Sequence, residues 1–168
     1  MKKIILAITT LILASCQQEK IAFVDNVKLM NEYQEKIDIE AKYKEKAEAL
    51  GKKRDSISQI FQAQANDFQT RAQNMSQTKA QEEYAQFQQR GQQMGQQLQM
   101  EDQKLQLEGQ TEMDSVVSKV KKEIQAYGKA NGYSYILGGG DGGSVLYGKE
   151  TNDITSEIIE LLNNKYKE

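Results

Sequence analysis

LGKKRDSISQIFQAQANDFQTRAQNMSQTKAQEEYAQFQQRGQQMGQQLQMEDQKL, residues 50–105, carries two apolar series whose reading decides the fold. The first runs Leu50, Ile57, Phe61, Phe68; filled in as 50, 54, 57, 61, 64, 68 and 71 it alternates steps of four and three. That spacing is one stripe of an α-helix. The second runs Tyr84, Phe87, Gly91, Met94, Leu98, Glu101, Leu105. Set head to tail, facing positions of the two series add to 155. Leu50 then falls opposite Leu105, Ile57 opposite Leu98, Phe61 opposite Met94, and Phe68 opposite Phe87. The polar interruptions match as well, with Arg54 opposite Glu101. This mirror symmetry predicts two arms of an antiparallel coiled coil that reverse near Gln77 and Thr78.

Working outward, the helical pattern spans residues 31–131, a hundred residues without proline and rich in Gln, Glu and Lys. Asn74 and Ser76 supply turn chemistry, and Thr78 with Gln81 fits a capping box for the returning arm. Over about 45 residues, at about 1.5 Å each, an arm extends roughly 65 Å. Gln81 to Gln110 is dense in glutamine, and its helical apolar period marks it as a solvated helix face. Gly91 and Gly95 each cost about 0.5–1 kcal/mol inside a helix, allowing close approach or a bend.

The flanks are different. Lys20-Ile-Ala-Phe-Val-Asp25 reads as a buried strand, and Asp25 or Asn26 caps a helix expected to run unbroken into the first arm. Asn131-Gly132 ends the second arm. Tyr133 to Leu137 and Ser144 to Tyr147 read as two strands joined by GGGDGG, residues 138–143, as a β-hairpin. The glycine run lacks the Gly-Lys-Ser/Thr ending of a phosphate-binding loop, so no cofactor site follows from it. Asp153 or Thr155 caps a last helix with Ile158, Ile159, Leu161 and Leu162 on one face.

Composition excludes several chemistries. The chain has no His, which removes histidine-dependent triads and the commonest metal ligand. A net charge of −2 argues against nucleic acid as a main partner. Asp25 and Asp153 are read as helix caps and not as an acid–base pair, so an enzyme is not expected. The first residues form a targeting segment: Lys2 and Lys3, an apolar run from Ile4 to Leu13, then Leu13-Ala14-Ser15-Cys16. That ending resembles the lipobox of bacterial lipoproteins, which implies cleavage after residue 15 and a lipid on Cys16. A lone exported cysteine has no intramolecular disulfide partner, which agrees.

The expected organisation is a signal peptide at 1–15, a lipidated tether at 16–19, a β-body from 20–30 and 132–168, and a hairpin arm at 31–131. The fold class is α+β, mostly α: a long antiparallel coiled-coil hairpin emerging from a small β-body. The body's segments are too few to bury a sufficient core alone, and their strand edges stay open, so oligomerisation must complete it.

Lys20-Ile-Ala-Phe-Val-Asp25, Gly132-Tyr-Ser-Tyr-Ile-Leu137, Val145-Leu-Tyr147 and Asp153-Ile-Thr155, set around such a hairpin, resemble the Skp/OmpH family. The resemblance implies a periplasmic, ATP-independent chaperone that works without a cofactor. It implies a homotrimer whose hairpins enclose a cavity for unfolded outer-membrane β-barrel proteins. This chain is acidic where well-known members are basic, and its lipobox adds a membrane anchor. If seam residues face the partner helix, the apolar residues left for client contact are Ile60, Met75, Met100 and Leu107. The competing readings are a lipid-anchored coiled-coil spacer or tether of the envelope, and an adaptor of an export machine. The adaptor needs flanking domains for which the chain is too short.

Overall fold

Strand β1, Ile21–Asp25, alternates buried and accessible residues, with Ala22 and Val24 turned inward. In the structure, a computed structural model describing residues 19–141 and 143–167, β1 pairs in parallel with β2, Tyr135–Gly139. Ile21 lies opposite Tyr135 and Asp25 opposite Gly139. The expected signal peptide, residues 1–15, and Cys16 lie outside the described residues. The other helices are α1, Asn26–Glu32; α2, Gln34–Ala72; α3, Gln77–Ala130; and α4, Thr155–Lys167. The chain is α+β and mostly α.

The described residues divide into two compact units, one within Met1–Gln34 and Val117–Glu168, the other Glu35–Val116. The first unit thus takes in the end of α3, which the sequence assigned to the arm. Ile136 packs on Gly128, Tyr127 stacks on Tyr133, and Lys165 pairs with Glu123, tying this stretch to the sheet and to α4.

The core of this first unit comes from Ala22, Val24, Leu29, Tyr33, Ile154, Ile158 and Leu162, all buried. Helix α4 contributes Ile158, Ile159 and Leu162, which recur on one helical face. Asp25 caps α1, its Oδ1 accepting from the Val27 and Lys28 amides at 2.9 Å. The Asp25 amide donates to Thr155 Oγ1 at 2.9 Å, and that hydroxyl donates to Asp153 Oδ1. Both aspartates are therefore structural caps, as the sequence suggested.

Three local expectations are corrected. Helix α1 does not continue into α2: Tyr33 adopts an extended backbone between them. Its side chain is fully buried, and Asn163 bridges the break. Asn163 Oδ1 accepts from the Gln34 amide at 2.8 Å, and its Nδ2 donates to the Glu32 carbonyl at 3.1 Å. Two helix ends are thereby satisfied by one amide side chain. The hairpin's cap is Ser76, whose hydroxyl lies 3.5 Å from the Lys79 amide, because α3 already starts at Gln77.

The third correction concerns the β-hairpin. Residues 144–147 form no strand, and β2 begins at Tyr135 and ends on Gly139. Between the segments Val145 N–H donates to the Gly138 carbonyl, at 3.2 Å. The segment instead crosses the outer sheet face, where Gly148 lies against the Phe23 ring. A Cβ there would come within 2.4 Å of that ring, so only glycine fits.

In the second unit α2 and α3 lie antiparallel. Leu50, Ile57, Phe61 and Phe68 face Phe87, Met94, Leu98 and Leu105, and all of them are half-buried. A two-helix seam leaves each side chain one open flank. The polar ladder is shifted from expectation. Lys42–Glu112, Lys46–Glu108, Lys53–Glu101 and Arg71–Glu83 share one register, each pair adding to one less than the expected total. Arg54 consequently turns to Asp102, at 3.7 Å, and Glu101 is taken by Lys53. In every one of these pairs α2 supplies the cation and α3 the carboxylate.

Candidate functional site

The arm's exposed apolar residues are the first candidates for contact with another molecule. Ile60 is 51% exposed, Met100 62% and Leu107 69%. Met100 and Leu107 are seven residues apart, so they share a stripe of α3. Ile60 is on the other helix. Met75 is half-buried in the turn, its amide donating to the Ala72 carbonyl at 3.2 Å. The four residues therefore form no single patch. They are spread along the hairpin.

The seam itself has gaps that sequence reasoning missed. Gly91 leaves room for the Phe61 ring, which lies 3.5 Å from where a Cβ would stand. The ring then reaches Phe87, centroids 5.5 Å apart, beyond its expected partner Met94. Phe68 stacks on Tyr84 at 6.0 Å. Beside the Phe61 ring two hollows of about 340 and 210 Å³ open along the seam, both bounded by Ile57, Phe61 and Met94, and a third of about 380 Å³ lies by Phe68 and Phe87. The available signal was glycine at positions 91 and 95 of an otherwise regular stripe.

Electrostatics hold the arms in register. Glu112 accepts from Lys42 at 2.7 Å and from the Tyr43 hydroxyl at 2.9 Å. Burial and then the Glu112 hydrogen bond push the Tyr43 hydroxyl up to about 12. The Lys42 hydrogen bond holds the Glu112 carboxyl below its ordinary value, and Lys53 does the same to Glu101. A depressed carboxylate stabilises the fold above its unfolded pKa of about 4.3, and that stabilisation is lost as pH falls through the lower folded value. A raised tyrosine stabilises below about 10, and its contribution is lost as pH rises toward its folded value. Arm helicity, followed by circular dichroism, should accordingly melt at lower temperature below about pH 4 and above about pH 10.

The other candidate surface is the outer face of the sheet. Ile21, Tyr135 and Leu137 project from it and are exposed, and Leu146 and Tyr147 beyond them are 98% and 85% exposed. A large exposed apolar group of this kind marks an interaction surface. Near it a cavity of about 730 Å³ is bounded by Asp25, Lys28, Glu32 and Asp141. Among the described residues no cluster of three or more His, Cys, Asp or Glu is arranged to hold a metal.

Comparison with known proteins agrees with this geometry. A family profile described as "Outer membrane protein (OmpH-like)" matches residues 20–162. The fold is similar to the crystal structure of a candidate outer-membrane chaperone, OmpH-like, from Caulobacter crescentus CB15. That similarity has a TM-score of 0.77 at 12% identity, covering 90% of this chain and 88% of the other. No curated protein matches. The chain belongs to the OmpH-like, or Skp/OmpH, family of periplasmic outer-membrane chaperones, which are not enzymes.

Proposed function

We propose that this chain is an ATP-independent holdase that shelters unfolded outer-membrane β-barrel proteins between the helical arms of a homotrimer. The observation that carries this reading is the scatter of exposed apolar side chains, Ile60, Met100 and Leu107, along an otherwise polar hairpin. Weak, dispersed apolar contacts suit a protein that must accept many sequences and release them without nucleotide, and methionine suits such a surface best. The outer sheet face and the sparsely bonded edge of β2 support assembly of several copies, since an open apolar edge seeks a partner. The segments before and after the hairpin pair in one sheet, which favours a clamp over an envelope spacer.

Replacing Ile60, Met100 and Leu107 together by Gln tests the contact surface. At roughly 0.5 kcal/mol per lost contact, the concentration giving half-protection against client aggregation should rise about tenfold. Helicity and native mass should stay unchanged. Light scattering of a β-barrel protein diluted from urea reads the effect, and unchanged protection would move the contacts elsewhere.

The same reading includes a membrane anchor on Cys16, supported by Leu13-Ala14-Ser15-Cys16. Metabolic labelling with a fatty-acid analogue should mark the wild type and leave Cys16→Ala unlabelled. Equal label on both excludes the anchor.

A further inference from the structure

The larger of the two hollows that Ile57, Phe61 and Met94 bound has the chemistry of a binding site for a particular kind of peptide segment. Its floor is apolar, made by Ile57, Ile60, Phe61 and Met94. Its rim carries Arg90 and three glutamines, among them Gln93. At about 340 Å³ it exceeds the roughly 150 Å³ that admits a benzene ring in an apolar cavity, so an aromatic side chain fits with room for its backbone. Glutamine amides offer both donors and acceptors, which an extended backbone needs.

Arg90 decides the charge of the occupant. Its neighbour Arg71 holds two carboxylates, Asp67 at 2.8 Å and Glu83 at 2.9 Å. Among the described residues Arg90 has no carboxylate partner within 4.0 Å, although it stands on an acidic chain. A guanidinium offers a planar fork that matches a carboxylate. The smaller hollow on the opposite flank, behind Gly91 and Gly95, differs in this respect. Its arginine, Arg54, already faces Asp102 at 3.7 Å.

We propose that the Ile60–Arg90 hollow receives an aromatic side chain of an unfolded polypeptide that carries an Asp or Glu within two residues of it, with Arg90 taking the carboxylate. This rests on the holdase reading and specifies its client segments. The seam residues Phe61 and Met94 are then client contacts from their open flank, as well as partners across the hairpin.

The test uses the mature protein and two fluorescent Gly/Ser peptides, one containing Phe-Ser-Asp and the other Phe-Ser-Lys, titrated by anisotropy. The acidic peptide should bind about fivefold more tightly at low salt, the range of one exposed charge pair. Arg90→Glu should invert that preference, and Ile60→Gln should weaken both peptides. Gly95→Leu fills only the opposite flank, where an added Cβ meets nothing within 4 Å, and should leave binding unchanged. Equal binding of the two peptides to wild type, or a preference that survives Arg90→Glu, overturns the proposal. So does loss of binding in Gly95→Leu. A fall in native mass in Arg90→Glu also overturns it, because the hollow would then seat a second copy. If neither peptide binds while the wild type still protects a β-barrel protein, this site falls and the holdase reading stands. If the wild type neither binds nor protects, both fall.

Discussion

Tyr135→Asp combined with Leu137→Asp should reduce the proposed oligomer to a single chain. Both residues stand on the outer face of β2, exposed in one chain and aligned with Ile21 and Phe23 across the sheet. Covering such a residue contributes about 1.5–3 kcal/mol per chain. A carboxylate in its place adds a desolvation cost once that face is covered. Several kcal/mol lost at each of several contacts exceeds what a micromolar assembly tolerates. Sedimentation equilibrium reads the result, with Tyr135→Phe as a control that keeps the native mass. An oligomer that persists in the double variant would place the assembly contact on another surface.

Tyr33→Ala should be the most damaging single truncation in the body, lowering stability by about 3–5 kcal/mol. Tyr33 is fully buried, sets its ring 6.5 Å from that of Tyr166, and occupies the break between α1 and α2. Removing it leaves a cavity at the point where Asn163 must meet both helix ends. Urea unfolding followed by tyrosine fluorescence checks this. The comparison is Ile57→Ala in the arm, where the residue is only half-buried and the loss should stay below that of Tyr33. Equal losses would mean that the arm, and not the small core, limits stability.

The arms were legible because an apolar period repeated over many turns leaves one solution, and their mirror symmetry named the partner. Individual polar pairings were less so. Lys53 and Arg54 are adjacent, as are Glu101 and Asp102, and long side chains choose among near-equal partners. The shift of Phe61 toward Phe87 depended on the room above Gly91, which a pattern of residue types does not specify. The break at Tyr33 was invisible because it is imposed from far along the chain, by Asn163, against a locally helical sequence. Val145-Leu-Tyr147 has the composition of a strand, yet β-propensity needs a paired neighbour to act on, and one chain does not supply it. The exposed candidates Ile60, Met100 and Leu107 followed from the period, since each falls off the apolar stripe. The Arg90 hollow did not, because a cavity arises between helices and belongs to neither.

In the proposed function an assembly of this chain holds an unfolded β-barrel protein without nucleotide. Native mass spectrometry of the mature protein, freed of any acyl chains and mixed with a urea-denatured β-barrel protein in the absence of ATP, tests it most directly. The expected result is an oligomer that gains the mass of one client and keeps it soluble. A single chain, or an oligomer that leaves the client to aggregate alone, would contradict it.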